Sequence, residues 1–196
     1  MFDLSDTRSK RRRIIFGEAQ IDAQQGAVLA AMDFEWTCRR AILALSKKPT
    51  VVLYEKFITD YPAFGGLENA WNAEVRPALK DSITLPDLVG RKVQWSSVRD
   101  AMQCRNAIVH GTDSRVSDWE CRWAVCVLED ACDVVAAFVK ELNGKGIFTK
   151  ISRRRTKDDI EAVTKAGEKL KNWHKRVGEE ITKRGADHWI STGWIG

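Results

Sequence analysis

The sequence predicts an all-α, up-and-down helical bundle of four to five core helices with a C-terminal helical extension. Three observations point there. Only four prolines occur in 196 residues, so few positions forbid a helix. Asn143-Gly144 is the single Asn-Gly or Asp-Gly dipeptide, so hairpin signals are nearly absent. Hydrophobic residues make up 44 % of the chain and recur mostly at helical rather than alternating spacing.

Residues 17–46 read as one long helix, with Ile21, Val28, Leu29, Met32, Trp36, Ile42 and Leu43 near helical phase. It should stop before Pro49, because the residue preceding a proline avoids the α region. A second helix is expected over 50–60, carrying Val51, Val52, Tyr54, Phe57 and Ile58. The stretch "FGG" at 64–66 reads as a turn, and a helix follows through about Leu79, around Leu67, Trp71 and Val75. "SITLPDLVG" (82–90) reads as a connector, with Pro86 and Gly90 as breakers. The pattern resumes over 91–111 with Val93, Val98, Ala101, Met102, Ile108 and Val109, and Gly111 supplies a left-handed stop. "SDWE" (117–120) is a capping box opening a strongly apolar helix to about Leu142, closed by Asn143-Gly144. Residues 145–155 read as an arm or linker, and Thr156 as the cap of a helix over 157–184. Trp36, Trp71, Trp95 and Trp123 fall in core phase, and no repeat of 20–50 residues is visible.

The length suits one domain with appendages. The expected division is a helical domain over 14–143 and a basic extension with a Trp-containing tail over 144–196. No run of about 18 apolar residues suggests a membrane span, and the N-terminus lacks the apolar stretch of a signal peptide. Five cysteines form no C-x-x-C pair and sit mostly in apolar helical phase. They read as buried thiols in a reducing, cytoplasmic setting. His110, His174 and His188 share no ligand spacing with acids or cysteines, so no metal or cofactor is expected.

Charge is unevenly placed. Residues 1–13 carry five basic against two acidic residues, residues 144–196 thirteen against seven, and the middle fourteen against eighteen. A mildly acidic body with basic ends suits an anionic partner such as nucleic acid. The "RRR" clusters at 11–13 and 153–155 (Arg153, Arg154 and Arg155) suit phosphate backbones, or equally a solvated charge run.

One stretch combines residue types that do chemistry. "CRNAIVHG" (104–111) places Arg105, Asn106 and His110 in the last turns before a helical hairpin. Histidine titrates near neutrality and moves protons, and arginine presents a permanently charged fork to phosphate oxygens. Asn106 and His110 are four apart on one face, so the amide can hold the imidazole in one tautomer. Arg105 and His110 lie about 140° apart around the helix and about 7.5 Å along it, so they flank a stripe without touching. The plain alternative is two cations placed favourably at a helix C-terminus.

The stretch "RNAIVHG", ending one helix before a turn into a long apolar helix, resembles the HEPN superfamily. Its ribonuclease members carry an R-x(4–6)-H motif with a polar residue after the arginine. Glu35 and Arg39, within "FEWTCRRAI", resemble the E-x-x-x-[KR] pair that such proteins carry on an early helix; as a plain helix pair they would be worth a few tenths of a kcal/mol. The likeness covers roughly residues 20–142 and is nearest to RiboL-PSP-type and defence-associated groups.

The resemblance implies a HEPN-like bundle acting as a homodimer, with both Arg-His motifs facing one cleft. It implies a metal-independent endoribonuclease that cuts RNA, such as tRNA or mRNA, by attack of a 2′-OH. In that role Arg105 stabilises charge on phosphorus, His110 is acid or base, Asn106 orients, and Glu35 and Arg39 support. The setting would be bacterial defence or a toxin–antitoxin system, with an antitoxin or other regulatory partner. Two other readings stay open: a non-catalytic HEPN-like module that binds RNA or protein, and a helical adaptor with no nucleic-acid role.

Overall fold

The computed structural model describes residues 7–61, 64–111, 116–148 and 156–184, with the backbone alone for Phe64 and for 180–184. It is an all-α bundle with no strand among the described residues. The helices are α1 (Arg8–Ile21), α2 (Ala23–Leu45), α3 (Thr50–Thr59), α4 (Phe64–Glu74), α5 (Leu85–Val89), α6 (Trp95–His110), α7 (Asp118–Asn143) and α8 (Lys157–Arg184). None of them is long and apolar enough to cross a membrane.

The chain forms two compact units. The first comprises residues 1–47 and 63–152, and the second residues 48–62 and 153–196. This differs from a division at residue 143: α1 belongs to the first unit from its start, and α3 groups with α8 in the second.

Local signals set several boundaries as expected. Ser117 and Glu120 form the reciprocal capping box that opens α7, and Gly144 closes it at φ 71°. Gly111 ends α6 at φ 59°, a conformation glycine adopts without a Cβ clash. Thr156 and Asp159 bond each other's backbone reciprocally at the start of α8. The expected 82–90 connector instead contains α5. Thr84 caps it by accepting from the Asp87 amide, and Pro86 occupies its first turn, where a missing N–H costs nothing.

The largest departure lies in the helix expected over 17–46. Its apolar pattern runs on unbroken, yet the chain turns at Asp22, whose backbone is extended (φ −138°, ψ 105°) and whose carboxylate caps α2 through the Gln25 amide at 3.0 Å. The corner folds α1 back along α2. Gly26 makes this possible: a Cβ there would stand 2.5 Å from the Cβ of Ala19. Gly26→Ala should therefore destabilise the protein by about 1–2 kcal/mol, although alanine is the better helix former by about 1 kcal/mol. Gly17→Ala on the open face of α1, where nothing lies within 4 Å, should stabilise it instead. Urea titration of both variants reads the two signs.

In the first unit α6 and α7 form a second antiparallel hairpin, and α2 and α7 run parallel along most of their length. Asp33 and Glu129 lie level near the middle, and Leu45, Phe138 and Leu142 wall one cavity at the far end. Ala27, Ala30, Phe34, Cys38, Ala41, Val125, Leu128, Cys132 and Val135 are buried in these two helices. Trp71 of α4 is fully buried and donates from Nε1 to the Ile83 carbonyl at 3.0 Å. Trp36, Trp95 and Trp123, expected in the core, are half-buried. Cys38, Cys121 and Cys132 are buried as expected, whereas Cys104 is half-buried and Cys126 exposed.

Three of the N-terminal arginines, Arg8, Arg11 and Arg12, are not a free basic arm, whereas Arg13 is exposed. Arg11 is 0 % exposed; its Nε donates to Asp33 at 2.6 Å, and its guanidinium stacks over Trp36 at 4.4 Å. Arg8 reaches Glu129 at 2.6 Å, Asp133 at 3.1 Å and Asp33 at 3.2 Å. Arg12 pairs with Asp133. Asp33, Glu129 and Cys132 offer three buried donor atoms within 4.8 Å of one another, and the guanidinium groups supply the positive charge that the two carboxylates need. Burial keeps the Cys132 thiol well above its ordinary value, with Asp33 adding and Arg8 opposing.

Glu129 feels the cost of this placement. Burial pushes its carboxyl from the ordinary 4.5 up to about 7, with Arg8 opposing the rise. Between these two values the folded chain holds a proton that the unfolded chain has released. Stability should thus fall as pH rises through that window, by up to about 3 kcal/mol. Melting temperatures measured from pH 5 to pH 8 should decline in the wild type and stay nearly level in Glu129→Gln.

In the second unit α3 lies against α8. Leu53 and Phe57 of α3 and Ala166 of α8 are buried, and Lys169 pairs with Glu55 at 2.7 Å. The α3–α8 surface encloses a groove of about 470 Å³.

Candidate functional site

Helix α6 carries two different faces at its C-terminal end. Val98, Ala101 and Met102 are buried against the bundle. Arg105 continues this inner stripe and is half-buried, with its Nε shielded from solvent and lacking a hydrogen-bond partner. The second face runs through Arg99, Gln103, Asn106 and His110, which recur every three to four residues and so align along one side of the helix. Asn106 and His110 are exposed, and His110 is the last helical residue.

One contact joins the two faces. Arg105 donates from Nη1 to Oδ1 of Asn106 at 2.9 Å. The bond bends the guanidinium from the inner stripe towards the face that carries His110. It also occupies the Asn106 carbonyl, and no hydrogen bond links Asn106 to His110 among the described residues. Asn106 thus positions Arg105, and its Nδ2 keeps its donors for other partners.

The outer face of α6 borders a groove against α4. Gly65 and Glu68 line one side and Arg99, Met102, Gln103 and Asn106 the other, with Trp95 at one end, enclosing about 290 Å³. Arg99 reaches Glu68 at 3.4 Å across it. Sequence reasoning missed Arg99 and Gln103. The signal was present in their spacing to Asn106 and His110, but that α4 supplies the opposite wall is a tertiary fact.

The same end of the bundle presents apolar surface. Cys104 and Cys121 are hydrogen-bonded neighbours, so the end of α6 lies beside the start of α7. Burial pushes the Cys104 thiol up to about 12, with Cys121 adding. The charge of Asp22 also reaches Cys121, which places the α1–α2 corner at this end. Ile21 at that corner, Val109 near the end of α6 and Trp119 at the start of α7 are all exposed, Trp119 at 73 %.

The second candidate pair lies elsewhere. Glu35 and Arg39 are half-buried, one turn apart on α2, on either side of the fully buried Cys38. Burial raises the Cys38 thiol, Glu35 adds to the rise and Arg39 opposes it. Phe34 packs near Trp95 at the start of α6, with ring centroids 6.4 Å apart. Glu35 is thereby level with a point about 15 Å along α6 from Arg105. Within one chain the two motifs are not brought together. Arg40 leads away from the α6 site: it stacks on Phe148 at 5.4 Å, and Phe148 lies 5.5 Å from Trp36. Arg153, Arg154 and Arg155 lie outside the described residues, as do Trp189 and Trp194.

No protein-family model, curated protein or solved structure matches the chain.

Proposed function

We propose that this chain is a metal-independent endoribonuclease of the HEPN type, working as a homodimer in the bacterial cytoplasm, in defence or under the control of an antitoxin-like partner. The observation that carries the reading is the Arg105–Asn106–His110 arrangement. A buried-edge arginine is turned by an amide towards the helix face that ends in an exposed histidine. Arginine beside a proton-transfer group is what phosphodiester transfer needs. Three exposed apolar side chains at that end of the bundle (Ile21, Val109 and Trp119) support a second copy docking there, since exposed apolar surface is costly unless covered.

The reaction balances without further groups. An imidazole takes the proton of a ribose 2′-OH, the 2′ oxygen bonds phosphorus, and the P–O5′ bond breaks. A second imidazole, from the other copy, gives the leaving 5′ oxygen a proton. Arg105 offsets the charge on the non-bridging oxygens. The products are a 2′,3′-cyclic phosphate and a 5′-hydroxyl, and DNA is spared for lack of the 2′-OH.

The test is incubation of the purified chain with tRNA and mRNA, with and without EDTA, followed by end-group analysis. Cleavage that survives EDTA and leaves cyclic phosphate ends is expected. A chain that cuts no RNA at any salt concentration sinks the proposal. RNA retained at low salt without cleavage would instead identify a non-catalytic binding module.

A further inference from the structure

The α3–α8 groove of the second unit has a composition its role in packing does not explain. Helix α8 contributes Lys169, Asn172, Trp173 and Arg176, at spacings of three, four and seven residues, so one face of the helix carries all four. Helix α3 contributes Glu55 and Ile58 opposite them. The volume of about 470 Å³ lies within the range of small-ligand sites.

The charges in the groove are not self-cancelling. Lys169 holds Glu55 at 2.7 Å, so that carboxylate is already neutralised. Arg176 is exposed, and among the described residues no carboxylate pairs with it. The Trp173 indole is half-buried and lines the groove, with the exposed His174 ring tilted 73° to it at a centroid distance of 4.9 Å. An indole lining the groove offers stacking to a flat ring, about one helical turn from a cation that suits a phosphate. Asn172 adds an amide able to donate and accept at a base edge.

We propose that this groove binds a nucleotide, with its base stacked on Trp173 and its phosphate on Arg176. The inference rests on the second unit's own side chains and does not depend on His110. The nucleotide is either free or one link of an RNA strand, and the two sources share this chemistry.

Calorimetric titration of the full-length chain with AMP, adenosine, inorganic phosphate and an eight-nucleotide oligo(A) tests it. AMP should bind more tightly than adenosine or phosphate. Trp173→Ala should weaken AMP by roughly tenfold or more, in line with the loss of one stacked base. Arg176→Gln, a change at an exposed side chain that leaves packing intact, should weaken AMP severalfold and leave adenosine unchanged. Sensitivity of both AMP and oligo(A) to these changes, with oligo(A) at least tenfold tighter, assigns the groove to an RNA strand. Equal affinities assign it to a free nucleotide. AMP and oligo(A) binding the two variants as tightly as the wild type, or phosphate competing as well as AMP, overturns the proposal. Because the readout is binding rather than cleavage, this result is independent of whether the chain cuts RNA.

Discussion

Asp33→Ala should cost the protein about 3–5 kcal/mol, a large share of the roughly 5–15 kcal/mol that holds a domain together. The reason is asymmetric burial. Asp33 is 0 % exposed, and it meets Arg11, also 0 % exposed, at 2.6 Å and Arg8 at 3.2 Å. Removing the carboxylate strips a buried guanidinium of its counter-charge while leaving its desolvation in place. The double variant Arg11→Met with Asp33→Ala should recover much of the loss, because a buried ion pair is worth little more than an apolar pair of similar volume. Thermal melts followed by circular dichroism give both numbers. A single variant within 1 kcal/mol of wild type would show that the α1 cluster does not hold the fold.

His110→Ala should lower RNA cleavage by about 10²–10⁴, the usual contribution of a positioned proton-transfer group. Arg105→Ala should lower it by about 10²–10³ through loss of charge stabilisation. The His110 loss should not be a stability artefact, because His110 is exposed at the last position of α6 and gives the fold no more than about 1 kcal/mol through the helix dipole. Asn106→Ala separates positioning from chemistry: it removes the acceptor that holds Arg105 at 2.9 Å and should cost less than Arg105→Ala. Single-turnover rates on one RNA substrate rank the three. His110→Ala within twofold of wild type would remove His110 from the chemistry.

What the sequence made legible was local. Ser117-x-x-Glu120 and Gly144 bound α7 because caps and left-handed stops act within a few residues. Gly111 did the same for α6, and the triplet Arg105, Asn106 and His110 stood out by residue type and spacing. The turn at Asp22 was hidden because apolar spacing continues through it. Its signals were an Asp-x-x-Gln cap and a glycine four residues on, and both need the α1–α2 packing to acquire meaning. The Arg11–Arg13 cluster read as a phosphate-binding or a solvated run because the carboxylates that hold Arg11 and Arg12 stand far along the chain, on α2 and α7. Asp33 and Glu129 sit at core phase among apolar neighbours, a mismatch that only a third helix resolves. Likewise, α3 looks like a continuation of the main bundle until α8 is placed beside it, and the groove on α6 needs α4.

The Arg8 cluster also sets an order on events at the ribosome. The α1–α2 hairpin has all its residues by position 45, and Asp33 can meet Arg11 as soon as they emerge. The remaining acids, Glu129 and Asp133, lie some hundred residues later. At about 5–20 residues per second, translation leaves Arg8 and Arg12 without those partners for roughly 5–20 s. During that interval the nascent chain displays Arg8 and Arg12 without the acids that hold them in the finished protein, so docking of α7 is the step that withdraws these two side chains from passing anions.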